Sequence, residues 1–156
     1  MRGSKKVVDV LNEVLAGELV GINQYFLHGR MCKNWGFHRI AEVDYRESID
    51  EMKHADQLVE RILFLEGMPN LQKLGRVRIG QTVPEQLKVD LALEVDAIAL
   101  LNRGIALCVA EGDNTSRDLL EDILENEEKH LDWLETQLGL IKQLGEKAYL
   151  AEQLRK

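Results

Sequence analysis

The sequence Glu51-Met52-Lys53-His54 returns 76 residues later (127 − 51) as Glu127-Glu128-Lys129-His130. In each copy a Glu and a His stand three residues apart, so on a helix they share one face about one turn apart. Another acid precedes each copy at one distance: Glu18 lies 33 residues before Glu51 (51 − 18), and Glu94 33 before Glu127 (127 − 94). Glu18 interrupts an apolar helical stripe of Val7, Val8, Leu11, Leu15, Ile22, Tyr25 and Phe26. Glu94 interrupts one of Leu87, Leu91, Ile98, Leu101 and Ile105. A carboxylate on a buried stripe is costly unless something partners it. A metal is such a partner. Four carboxylates and two imidazoles form an oxygen/nitrogen shell without thiolate, which suits iron or manganese better than structural zinc. Divided between two metals about 3.5–4 Å apart, the set gives each metal one His, one terminal Glu and a share of two bridging Glu.

The same offsets constrain the fold. Rising about 17 residues along one helix, turning, and descending the next returns the chain to nearly its starting height. Each lone Glu therefore meets the Glu-x-x-His of an antiparallel neighbour. The first helix is predicted from an N-cap at Ser4 to about Trp35, with Gly36 as its stop. A tight turn leads to a second helix from about Arg39 to Leu65, with Ile40, Val43, Ile49, Leu58 and Ile62 on its buried face and Gly67 and Pro69 ending it. The 17 residues from Glu66 to Thr82 hold three glycines and a proline. Extended, they reach about 56–61 Å, enough to run back along a helix of about 40 Å. Such a crossover makes helices two and three parallel, and its Val77-Arg78-Ile79 alternation is that of a short strand suited to pairing with a symmetry mate. Thr82-Val83-Pro84-Glu85 is a capping box that starts helix three, which Gly112 closes. Thr115 is the expected cap of helix four, running to about Leu144. After Gly145 a short helix from Glu146 to Leu154 is expected to pack elsewhere in an assembly. The prediction is an all-α antiparallel four-helix bundle with a long crossover between helices two and three and a short fifth C-terminal helix. It forms a single domain over residues 1–156.

At 156 residues the chain can bury a sizeable core in one domain. Its net charge of −7 argues against nucleic acid or an anionic membrane as partner and favours cations. No apolar run approaches about 18 residues and no apolar signal segment opens the chain, so a cytoplasmic location is expected. Cys32 and Cys108, also 76 apart (108 − 32), are expected as buried free thiols. Tyr25 is expected as a core aromatic, and His28 and His38 as surface or packing residues.

Over essentially its whole length the sequence resembles the bacterioferritins, the haem-containing branch of the ferritin family. The resemblance rests on Gly17-Glu18-Leu19-Val20-Gly21-Ile22-Asn23-Gln24-Tyr25-Phe26-Leu27-His28 and on Glu47-Ser48-Ile49-Asp50-Glu51-Met52-Lys53-His54-Ala55-Asp56. Ile62 to Leu71 and Asp132-Trp133-Leu134-Glu135-Thr136 add to it. It implies a ferritin-like bundle assembled into a 24-subunit cage of two-fold dimers. Such a cage oxidises Fe(II) with O2 or H2O2 at a di-iron ferroxidase centre within each subunit and stores ferric mineral inside. By this likeness Glu51 and Glu127 bridge the metals, Glu18 and Glu94 are terminal ligands, and His54 and His130 complete the set. Met52 falls at the position that ligates haem b between two subunits, and a ferredoxin-type donor supplies electrons for iron release. Family members often carry His at the place of Arg46, where with Asp50 it forms an inner-surface iron site. Arg cannot ligate a metal, which leaves Asp50 as the remaining acid there. The rival reading is a di-metal redox enzyme of peroxidase or catalase type without mineral storage.

Overall fold

The computed structural model describes residues 1–155. Five helices follow one another: α1 (Lys5–Trp35), α2 (His38–Phe64), α3 (Val83–Ala110), α4 (Asn114–Leu144) and α5 (Glu146–Glu152). Among the described residues there is no strand, and no helix is long and apolar enough to cross a membrane. Lys156, the last residue of the expected domain, lies outside the described residues.

The helix ends follow from local chemistry. Gly36 adopts φ 91°, and the N–H of Phe37 reaches back to the carbonyl of Cys32 at 2.9 Å, the six-to-one bond that a left-handed residue permits. At the end of α2 the left-handed residue is Glu66 (φ 62°) and not Gly67, while Gly67 N–H bonds Ile62 O at 2.9 Å. Gly67 is required for space instead, because a Cβ there would meet Val8 Cγ1 at 2.6 Å. Ser4 does occupy the N-cap of α1 but makes no capping bond; its hydroxyl donates to Glu111 at 2.6 Å. Asp113 caps α4 in place of the expected Thr115. Its carboxylate accepts the N–H of Ser116 at 3.0 Å, the N3 donor that a cap one residue before Asn114 reaches.

Chain direction is fixed by the cross-helix pairs. Ser4 meets Glu111, Arg103 meets Glu13, and both Gln24 and His28 meet Asp90. Residue numbers thus fall along α3 as they rise along α1, so those helices are antiparallel. Since α1 and α2 form an antiparallel hairpin, α2 and α3 run parallel. The crossover between them lies along α1, held by three of its side chains. Asn12 bonds Met68 O and Asn70 N, Gln24 accepts Arg78 N–H, and His28 accepts Gly80 N–H. Residues 77–79 form no strand within the chain, Arg78 N–H being used by Gln24.

The interior is two apolar clusters with a polar layer between them. One cluster contains Val7, Leu11, Leu15, Leu58, Ile62, Cys108, Leu120 and Ile123. The other contains Cys32, Ile40, Val83, Leu87, Leu134 and Tyr149. Cys32 and Cys108 are buried and free, one in each cluster. The expectation that α5 packs elsewhere is corrected by Tyr149, which is 1% exposed in the second cluster and donates to Gln137 at 2.7 Å. The carbonyl of Gln153 also receives Arg39 N–H at 3.1 Å. A seven-residue helix with one large aromatic closes the end of its own bundle.

Candidate metal centre

The polar layer collects one or two residues from each long helix. Glu18 comes from α1, Glu51 and His54 from α2, Glu94 from α3, and Glu127 and His130 from α4; all six are buried. His54 Nδ1 lies 3.4 Å from Glu18 Oε2, 3.3 Å from Glu127 Oε1 and 3.9 Å from Glu51 Oε1. Donor atoms of Glu18, Glu51, His54 and Glu127 all fall within 4.8 Å of one another. His130 Nδ1 lies 3.2 Å from Glu94 Oε1, and Glu94 lines one small cavity with Glu18, Glu51 and Glu127. The six side chains therefore form one connected cluster.

The electrostatics of the cluster follow from its crowding and burial. Burial, then the Glu18 and Glu127 carboxylates, raise Glu51 well above the ordinary carboxylate range. Burial, then contact with Glu127, pushes Glu94 up to about 8 despite the opposing pull of His130. Burial pulls His54 down, but the Glu127 and Glu18 carboxylates outweigh it and raise the imidazole to about 10. His130 likewise overcomes burial through Glu94 and reaches about 9. Like charges crowded in low dielectric retain protons unless a cation replaces them. Each of the six keeps one buried donor or acceptor atom without a hydrogen-bond partner: Glu18 Oε2, Glu51 Oε1, His54 Nδ1, Glu94 Oε2, Glu127 Oε2 and His130 Nε2. Native interiors rarely leave such atoms unmet. Six in one layer, all of ligand type, fit a pair of oxygen- and nitrogen-preferring metal ions. A cavity of about 20 Å³ lined by Glu18, Glu51, Glu94 and Glu127 opens beside them.

Neighbouring side chains orient the donors. The Tyr25 hydroxyl donates to Glu94, and the Tyr25 ring meets His130 edge-on at 4.9 Å. Burial, then Glu94, raises the Tyr25 phenol well above its usual value and keeps it a donor. Trp133 stacks on His130 at 6.0 Å between centroids.

Two acids were not singled out from the sequence, and the partners of a third residue, His28, were not foreseen. Glu47 Oε2 lies 3.6 Å from His130 Nδ1; its place four residues before Glu51 was the available signal. Asp44 is buried with Oδ1 unpartnered, and burial, then Asp90, raises it well above the ordinary range. It lies where Val43 was expected to be buried; Val43 is half-buried instead. His28, expected at the surface or in packing, is fully buried and polar-bonded. Its Nδ1 meets Asp90 at 2.9 Å and its Nε2 accepts Gly80 N–H at 3.1 Å, a contact between residues far apart in sequence that no helical spacing reveals.

The remaining predicted residues lie outside the cluster. Asp50 is half-buried in a groove between α2 and α4 that Asp122, Glu125 and one side of His54 also line. Arg46 is exposed. Met52 points away from the layer and is 56% exposed, with Tyr45 and Ile49 exposed on the same face of α2. Ile49 and Phe26, expected on buried stripes, are instead exposed.

The chain matches the ferritin-like domain family over residues 8–144. It is 50% identical over 152 residues to a bacterioferritin of Mycobacterium leprae, spanning 97% of this chain and 96% of that relative. The chain belongs to the bacterioferritin family. Bacterioferritins of Streptomyces coelicolor (48% over 151 residues, 97% of this chain and 90% of the relative) and of Brucella melitensis (46% over 149 residues, 96% and 92%) are similar over the same extent. The family match covers α1 from residue 8 and the whole of α2, α3 and α4, and with them every residue of the buried donor cluster.

Proposed function

We propose that this chain stores iron. Fe(II) is taken as substrate at the six-residue cluster, oxidised there with O2 or H2O2, and passed as ferric product to the interior of a 24-chain cage built from two-fold dimers. The observation that carries this reading is the buried layer in which every one of six ligand-type side chains keeps an unpartnered donor atom. The whole chain, residues 1–156, acts as one ferritin-like domain in the cytoplasm.

In this reading Glu51 and Glu127 would be shared by the two iron ions, Glu18 and Glu94 would each serve one, and His54 and His130 would complete the set. Bound iron supplies the electrons that reduce the oxidant. The protein's part is to hold and release protons and to exclude water. His54, His130 and Glu94 give up protons as iron enters, because metals bind neutral imidazole and ionised carboxylate. Tyr25 holds Glu94 in place through its hydroxyl. The apolar clusters on either side of the layer keep bulk water from the charged groups and so strengthen their pull on a cation. Asp50, in the groove beside His54, serves as an accessory acid for iron on its way to or from the centre.

The exposed α2 face supports a haem b site in this reading. The Met52 thioether, with Tyr45 and Ile49 beside it, is an uncovered apolar surface of the kind a ligand or partner buries. Met52 from each of two chains would hold the haem iron at the two-fold contact, where the group supplies a one-electron relay. A ferredoxin-type donor would deliver electrons for iron release.

Anaerobic addition of Fe(II), followed by air, tests the proposal through ferric absorbance. Growth well beyond two irons per chain is the expected result. Growth that stops at two would replace storage with a di-metal redox reaction.

A further inference from the structure

The Glu51 side chain lies against the backbone of α1 at one point, Gly21. A Cβ built on Gly21 would stand 2.7 Å from Glu51 Oε2 and 3.1 Å from both Cδ and Cγ of that residue. Three successive heavy atoms of one ligand-type side chain therefore rest in the space a methyl group would fill. Oε2 is turned to the glycine, and Oε1 is the oxygen left unpartnered in the cluster, 3.9 Å from His54 Nδ1. Glu51 is 3% exposed, so it has little room to swing aside. Gly17 provides the contrast. It lies one turn earlier on α1 and lines the small cavity of the cluster, yet a Cβ there would meet nothing within 4 Å. Neither glycine has a left-handed φ. Conformational freedom therefore explains neither of them, and each weakens α1 relative to alanine. Only at Gly21 does the structure show something obtained in return.

We propose that Gly21 is a positioning residue for the metal centre: by lacking a side chain it forms the cradle that holds the Glu51 carboxylate within the ligand cluster. The inference rests on the di-metal reading of the cluster. An alanine methyl at this position displaces the carboxylate towards His54 and the other acids, and the ligand set can no longer close around two ions.

Gly21→Ala, with Gly17→Ala as the matched control, is tested by anaerobic titration with Co(II), following both the number bound and the visible ligand-field spectrum, and by thermal unfolding of the metal-free proteins. Gly21→Ala is expected to keep or raise the unfolding temperature while its affinity for the second Co(II) falls tenfold or more and the spectrum changes. Gly17→Ala is expected to gain similar thermal stability and bind as the parent does. A Gly21→Ala protein with the parent's stoichiometry, affinity and spectrum overturns the inference, and so does an equal loss in both variants, which would assign the effect to the helix. If Gly21→Ala does not fold, the double variant Gly21→Ala/Glu51→Ala decides. Recovered folding places the clash on Glu51, and continued failure overturns the assignment. Failure of the parent itself to bind two Co(II) per chain would instead overturn the di-metal reading beneath it.

Discussion

Glu127 sits among the other acids of the cluster: it lies 3.3 Å from His54 and lines the same small cavity as Glu18, Glu51 and Glu94. A ligand that binds only the folded state at 100 times its Kd adds about 2.7 kcal/mol. For a chain of this size each kcal/mol moves the unfolding temperature by about 2–4 °C. The parent is expected to gain about 5–10 °C on adding Co(II), and Glu127→Ala to gain none, as thermal scans with and without metal will show. Protons give a second residue-scale outcome. His54 and Glu94 have folded-state values raised from 6.5 to about 10 and from 4.5 to about 8. The folded metal-free chain thus binds more protons than the unfolded one, and its stability falls as pH rises through these ranges. Unfolding of the metal-free protein should show that decline from about pH 5 to 10. Metal binding at pH 7 should release at least about two protons per pair, measured by pH-stat titration. Stability that rises over this range, or binding without proton release, contradicts the assignment. These six residues were legible in the sequence because a repeated offset places them on stripes where acids do not otherwise belong. Glu47 and Asp44 were not, since one acid in a charged helix looks like its solvated neighbours.

At the scale of elements, the crossover depends on α1. His28 joins α1, the crossover and α3 by bonding Gly80 N–H and Asp90, while Gln24 supports the same Asp90 at 2.7 Å. His28→Ala strands a buried carboxylate and a backbone donor, and such losses cost about 1–3 kcal/mol each. Denaturation should show the variant destabilised by about 3 kcal/mol; a change within about 0.5 kcal/mol would show that the crossover is held elsewhere. The four long helices, their order and the return of the crossover followed from hydrophobic period and turn residues. The details that did not follow depend on distant contacts. Asp113 outcompetes Thr115 as the cap of α4 in part because Arg61 binds Asp113 at 2.8 Å and Ser116 at 2.9 Å from across the bundle. The seating of α5 depends on a pocket for Tyr149 formed by residues from four other helices.

The whole molecule is two apolar ends enclosing a charged middle, and its outer faces are where an assembly is written. Met52, Tyr45 and Ile49 form an uncovered face on α2 that points away from the donor cluster, so under the proposed function haem binding and iron oxidation should separate. Met52→Ala is expected to lose haem absorbance while retaining Fe(II) oxidation at close to the parent rate; haem at the parent's level in the variant would assign its ligand elsewhere. A single chain's periodicity cannot record such a face, because residues buried only against another copy look like misplaced apolar positions. Phe26 and Ile49 are exposed apolar positions here and would be of that kind in the proposed assembly. Anomalous diffraction at the iron edge from crystals grown anaerobically with Fe(II) measures most directly whether the charged middle holds two metals. Two peaks within the shell of Glu18, Glu51, His54, Glu94, Glu127 and His130 are the predicted result. Iron confined to surface acids, with that layer free of anomalous signal, would contradict it.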